Sequence, residues 1–93
     1  PMKHRSLKAL FLLCLILLGW QTLAAQSIRT KVNKGNARFK KGRYEEALAN
    51  YKDALLDDPL NETALFNQGD ALYKLKKYDQ AVETFQKDVG SEN

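Results

Sequence analysis

Apolar and polar residues divide the chain into two unlike parts. The first part opens on a basic stretch at residues 2–8, continues as an uncharged apolar run at residues 9–18 and ends in the small residues Ala24 and Ala25. This layout predicts a signal peptide over residues 1–25, with its start at Met2 and cleavage after Ala25. The apolar run is shorter than the roughly 20 residues that a membrane-spanning helix needs. An uncleaved membrane anchor is the alternative.

The second part of the chain has helical periodicity. The segments 28–41, 44–56, 62–75 and 78–89 each place small or apolar residues three and four positions apart, which predicts four helices and an all-α fold. Gly42 allows a turn after the first helix, because glycine tolerates the left-handed conformation of a helix end. Pro59 ends the second helix, and Asn61 is a candidate N-cap of the third.

The same part of the chain repeats itself at one fixed offset. Small, polar and aromatic positions all recur. The matching pairs include Asn33 with Asn67, Gly35 with Gly69, Ala37 with Ala71, Phe39 with Tyr73, Tyr44 with Tyr78, Ala47 with Ala81, Leu48 with Val82 and Tyr51 with Phe85. Their common period of 34 is that of a helix-turn-helix repeat, in which each unit buries its apolar face only by stacking on a neighbour.

These residues resemble the tetratricopeptide repeat family in order and spacing. The resemblance is carried by Gly35-Asn36-Ala37, by residues 42–47, by Asp58-Pro59 and by residues 69–73. It implies a domain at residues 26–93 with two hairpins, at about 28–61 and 62–89. It also implies a non-enzymatic adaptor that binds a protein or peptide on its concave surface. The repeated glycines and alanines would lie where the two helices of a hairpin cross closely, and the repeated tyrosines and Phe85 between neighbouring hairpins.

A narrower resemblance is to the small exported repeat proteins of bacterial aerotolerance (Bat) operons. It is carried by the signal peptide, the lead Ser27-Ile28-Arg29 and the motif at residues 33–36. It implies an exported protein in the periplasm or envelope of a bacterium, with a role in survival of oxygen stress beside membrane proteins. Contact with the membrane would then come only from the signal segment or from a membrane-protein partner.

The family resemblance also implies which residues line the partner-binding groove. They lie on one face of the first helix of each hairpin, at spacings of three and four residues. They are Val32, Asn33, Asn36, Phe39, Lys40, Phe66, Asn67, Asp70, Tyr73 and Lys74. Asn36 and Asn67 match two asparagines of the subclass that clamps a terminal carboxylate, but Val32 stands where that clamp has lysine. The other interpretation of these asparagines is that they are merely solvated or cap helices.

Two ends of the predicted array differ from the family pattern. Lys31, Lys34 and Arg38 occupy positions where a preceding repeat would pack, and a polar face there is typical of a terminal unit. On the last helix, Tyr78 and Val82 have no following hairpin to cover them. Three outcomes are open: a longer repeat array, self-association, or a partner that covers this end.

Composition limits the chemistry of the second part. His4 and Cys14 are the chain's only histidine and cysteine and both precede residue 26, so residues 26–93 offer no imidazole base and no thiolate. Asp57 and Asp58 lie beside Pro59 and are expected to point apart. The sequence therefore predicts no enzyme, no metal site and no cofactor.

Charge argues against nucleic acid as a partner. The formal net charge is +4, but three of the fifteen basic residues precede residue 26, where no acidic residue lies. The rest has twelve basic against eleven acidic residues. Nucleic-acid binding needs many phosphate contacts from one basic face, and the short lysine clusters at residues 40–43 and 74–77 are more typical of solvated turns.

Overall fold

A computed structural model describes the backbone of residues 2–91 and the side chains of residues 7–19 and 23–90. Across residues 2–91 the regular structure consists of four helices: α1 (Met2–Lys40), α2 (Tyr44–Asp57), α3 (Glu62–Lys74) and α4 (Tyr78–Ser91). The predicted all-α class is confirmed, and α2, α3 and the start of α4 lie within one residue of their predicted bounds. The cleavage of residues 1–25 stays a prediction.

The first helix is much longer than predicted. We expected it to begin at Ile28, but α1 runs without a break from Met2 to Lys40. Residues 2–27 contain no proline, and their one glycine, Gly19, costs a helix only about 1 kcal/mol relative to alanine. The helix Leu7–Lys40 contains an 18-residue stretch that is long and apolar enough to cross a membrane, with a mean hydropathy of 1.9. The large apolar side chains described at residues 7–18 are exposed. A signal sequence has the same properties.

Both hairpin turns have the same hydrogen-bond pattern. In the first turn, Gly42 N donates to Phe39 O at 3.0 Å and Arg43 N donates to Arg38 O at 2.9 Å. The second turn repeats both bonds at the equivalent positions, from Lys76 and Lys77. Gly42 and Lys76 have φ values of 75° and 63°. Lys76 thus takes the left-handed conformation that glycine takes in the first turn, because this helix end requires it.

The helices pack as two antiparallel hairpins stacked through α2 and α3. The first pair is α1 with α2, the second is α3 with α4, and α1 also contacts α3. The core lies between them and contains mostly alanine and leucine with one large aromatic residue. Its buried members are Val32, Ala47, Leu48, Tyr51, Ala54, Ala64, Ala71, Leu72 and Ala81.

Glycine allows the helices of each hairpin to approach closely, as predicted. A Cβ added at Gly35 would lie 2.5 Å from a ring carbon of Tyr51, and one added at Gly69 would collide with the ring of Phe85. The aromatic residues that open α2 and α4 differ from expectation, because each contacts a ring of its own hairpin. Tyr44 packs edge-on against Phe39 at 5.1 Å between ring centroids, and Tyr78 packs in the same way against Tyr73 at 5.3 Å.

Local bonds set the remaining helix ends. The predicted N-cap is confirmed, since Asn61 Oδ1 accepts from Ala64 N at 3.0 Å at the start of α3.

Two of the three cations on α1 form ion pairs with α2 and do not form a free polar face. Lys31 Nζ lies 2.6 Å from Asp57 Oδ2, and Arg38 Nη1 lies 3.0 Å from Glu46 Oε2.

Candidate interaction groove

A depression of about 270 Å³ lies where α1, α2 and α3 meet. The hairpin stacking forms it, because α1 and α3 present equivalent faces of the repeat side by side. Half of the ten predicted groove residues line it, together with a tyrosine that the repeat pattern predicts between neighbouring hairpins. The lining residues are Asn36, Phe39, Lys40, Asn67, Asp70 and Tyr51. We call this the central depression.

The amides of the central depression are held by hydrogen bonds within the chain. Asn36 Oδ1 accepts from the hydroxyl of Tyr51 at 2.6 Å and from Nδ2 of Asn67 at 2.9 Å. Both lone pairs of this oxygen are therefore engaged. Among the described residues, no side chain accepts from Asn36 Nδ2 or donates to Asn67 Oδ1, so the pair presents one donor group and one acceptor group for a ligand. Asn36 and Asn67 are thus neither simply solvated nor caps of a helix.

The other predicted groove residues lie elsewhere. Val32 and Asn33 border a second depression of about 360 Å³ between α1 and the α2–α3 loop, but Val32 is only 6% exposed and belongs to the core. Phe66 borders a third depression at the start of α3, which Asn67 shares. Tyr73 and Lys74 are exposed outside all three. The ten residues therefore share the α1 and α3 faces without converging on one site.

Burial perturbs two ionisable groups of the central depression. Partial desolvation raises the pKa of the Asp70 carboxyl above its ordinary value of 3.8, and the charge of Lys74 opposes this shift. Burial also raises the pKa of Tyr51 above 10.0, with the nearby charge of Asp70 as the second cause. No side chain among residues 7–19 and 23–90 donates a hydrogen bond to Asp70. This carboxylate has therefore lost part of its hydration, and the nearby charge of Lys74 offsets part of that cost.

The raised pKa of Asp70 predicts a pH dependence of stability. Folded protein binds this proton more tightly than unfolded protein, so the favourable contribution is present below pH 3.8 and is lost as the pH rises through the folded value. Asp70→Asn should remove this loss of stability. Its urea midpoint should therefore exceed that of the parent protein by more at pH 7 than at pH 3.5. Asp79→Asn is the control, because it removes one negative charge from the exposed surface of α4. An unchanged pH slope in Asp70→Asn would contradict the assignment.

The two aspartates beside Pro59 do not form a catalytic pair. Asp57 contacts Lys31, whereas Asp58 Oδ2 accepts from Asn61 Nδ2 at 3.4 Å, so the carboxylates have different partners. In the part of the chain that the structure describes, no three histidine, cysteine or acidic side chains come together as metal ligands.

Comparison with known proteins agrees with the repeat geometry. The model of the tetratricopeptide repeat family matches residues 32–88, which is more than half of the chain. This chain belongs to the tetratricopeptide repeat family. The match covers most of the two predicted repeats, at about 28–61 and 62–89, and includes every residue that lines the central depression.

Individual relatives are eukaryotic proteins much longer than this chain. The chain is 38% identical over 56 residues to the Hsp70-Hsp90 organizing protein of Triticum aestivum and 39% identical over 51 residues to the stress-induced-phosphoprotein 1 of Caenorhabditis elegans. It is 35% identical over 57 residues to the RNA polymerase II-associated protein 3 of Xenopus tropicalis. These matches cover 60%, 55% and 61% of the chain, but only 10%, 16% and 9% of the relatives.

Sequence reasoning missed one residue of the central depression. The repeat pattern predicts Tyr51 between neighbouring hairpins, and its ring is indeed buried, with 1% of the residue exposed. Its hydroxyl nevertheless reaches Asn36. The signal was available in the repeat, because Phe85 stands at the equivalent position of the second hairpin and fills the same space without a hydroxyl. A tyrosine used only for packing would have no reason to carry the polar group.

Proposed function

We propose that this protein is a non-enzymatic adaptor that holds a segment of a partner polypeptide across the concave faces of α1 and α3. The observation that carries the proposal is the central depression, with an amide donor, an amide acceptor and an aromatic ring on one open surface. Backbone groups of an extended peptide need both a donor and an acceptor. The names of the organizing proteins among its relatives, which refer to Hsp70 and Hsp90, support an adaptor role for the repeat family.

Photo-crosslinking at a groove position tests this proposal. Phe66 is 51% exposed and stands next to Asn67. A photo-crosslinking amino acid in place of Phe66 should capture a partner polypeptide in the native cell, because this exposed residue borders the third depression together with Asn67, which also lines the central depression. The matched control is the same amino acid in place of Leu56, an exposed apolar residue of α2. Leu56 borders a separate depression with Pro59 and Lys87 and none of the three described above.

The outcome at the two positions decides the assignment. Capture from position 66 should be reduced several-fold by Asn67→Ala, which removes the Asn67 amide and its hydrogen bond to Asn36. Equal capture from positions 66 and 56 would show that the concave face has no special role, and the groove assignment would be withdrawn.

We infer that the adaptor is exported and acts in a bacterial envelope, where it contributes to tolerance of oxygen. The basic residues before an apolar run and the small residues at 24 and 25 support export. The oxygen-related role has its support in the lead at residues 27–29 and the motif at residues 33–36.

A membrane-anchored structural subunit is the second candidate, and the continuity of α1 favours it. An uncleaved α1 would pass from the apolar run into the first repeat helix without a loop, so the membrane and the groove would be joined by one rigid element. Intact-mass measurement of the native protein separates the two candidates. A mature N-terminus at Gln26 would exclude the anchor, and retention of residues 2–25 would exclude cleavage.

A further inference from the structure

The partly buried charge of the central depression is the carboxylate of Asp70. Asp70 borders the depression from α3, is partly desolvated and receives no hydrogen bond from the described side chains. Lys40 also borders it, but its side chain is exposed and stays hydrated. A partly desolvated carboxylate gains more from a ligand donor than an ammonium that is fully solvated by water, because folding has already met part of the cost of removing its water.

The position where a clamp for a terminal carboxylate needs a cation is apolar. Val32 stands there, one turn before Asn36, and is buried in the core. A ligand carboxylate beside Asn36 and Asn67 would therefore meet the negative charge of Asp70 without a cation at that position. Two carboxylates in one partly desolvated site repel each other. Lys40 and Lys74 are exposed and hydrated, so the partly buried charge of Asp70 is the one that opposes an anionic ligand terminus.

The amides supply the rest of the recognition. The oxygen of Asn36 is engaged by Tyr51 and Asn67, so its amino group is left to donate to a ligand carbonyl. The oxygen of Asn67 can accept from a ligand N–H. An internal peptide group offers both, whereas a free carboxyl terminus offers only acceptors. The polar groups therefore match an internal segment of a chain with a donor-bearing side chain directed at Asp70.

We propose that the central depression binds an internal segment of the partner through a lysine or arginine side chain held by Asp70, and that it discriminates against a free carboxyl terminus. This inference rests on the adaptor function proposed above. The inference requires the partner to place a cationic side chain beside the Asn36–Asn67 pair.

Peptide libraries of defined charge test the inference on the full-length chain in detergent micelles. The probes are three pools of fluorescent heptapeptides: blocked peptides with arginine at the centre, blocked peptides with glutamate at the centre, and peptides with a free carboxyl terminus. The arginine pool should bind about tenfold more tightly than either of the others, the difference expected for one charge-assisted hydrogen bond. Asp70→Asn, which keeps the shape of the side chain, should abolish the preference. Asp79→Asn, the matched control on α4, should retain it.

Each alternative result has a distinct meaning. Equal binding of the arginine and glutamate pools, or tighter binding of the free carboxyl termini, would overturn the cation assignment and leave the adaptor function standing. Loss of the preference in Asp79→Asn as well as in Asp70→Asn would mean that overall charge, and not this site, selects the peptide. Absence of binding in all pools overturns the inference; if the position-66 crosslink also fails, the adaptor function fails with it.

Discussion

Leu48→Ala should destabilise the repeat domain by about 2–5 kcal/mol, the range for deleting most of a buried leucine side chain. Leu48 is a core residue of α2 and only 4% exposed, whereas Val82 at the equivalent position of the last helix is 54% exposed, which indicates that the second hairpin covers Leu48. The cavity would open at the contact that joins the two hairpins. Because a domain of this size has a small stability margin, much of the folded population should be lost. Urea titration followed by circular dichroism at 222 nm measures the effect as a lower midpoint.

The internal repeat supplies the control for this prediction. Val82 occupies the equivalent position of the second hairpin, on the outer face of α4, and is 54% exposed. Val82→Ala should change the free energy of unfolding by no more than about 0.5 kcal/mol. If Val82→Ala lowers the free energy of unfolding by as much per deleted carbon atom as Leu48→Ala does, another copy of the chain or a partner covers α4 in solution. The two variants thus also measure whether this face is free.

Helix boundaries in the repeats were predictable because local residues set them. Gly42 takes a left-handed turn, Asn61 caps α3 and Pro59 follows the end of α2, and each of these effects acts over three or four residues. The beginning of α1 was not predictable in this way. The pattern of residues 1–25 indicates targeting, and targeting patterns leave the conformation open. Because residues 2–27 contain no proline, the helix continues without interruption between Met2 and the predicted start at Ile28.

The concave faces were predictable from spacing, but the central depression was not. Positions three and four apart on one helix share a face, which brought Asn36, Phe39 and Lys40 into one set. Whether a face residue is exposed depends on the crossing of the helices. Val32 shares the face in sequence yet is buried against the core. The bond between Asn36 and Asn67 joins residues that are distant in sequence, so it depends on how the hairpins stack and no local rule predicts it.

Gly35→Ala should be the most damaging single-methyl addition in the repeats. The new Cβ would lie 2.5 Å from Cε1 and 2.8 Å from Cδ1 of Tyr51. Tyr51 cannot yield easily, because its ring is buried and its hydroxyl is bonded to Asn36. Overpacking of this kind costs about 1–3 kcal/mol and occasionally more, while alanine returns about 1 kcal/mol of helix propensity. We expect a net loss of about 1–2 kcal/mol, measured by urea titration.

Gly69→Ala adds the same methyl group beside an aromatic ring that can move. Its Cβ would collide with Phe85, but this ring is only half-buried, has no hydroxyl to anchor it and lies on α4, whose outer face is uncovered. The ring can tilt outward, so the loss should be clearly smaller than at Gly35. Gly90, with nothing within 4 Å of its added Cβ, should gain up to about 1 kcal/mol as alanine. Equal losses at Gly35 and Gly69 would show that the Tyr51–Asn36 bond does not hold the ring, and the role of Tyr51 in orienting the amides of the central depression would have to be abandoned.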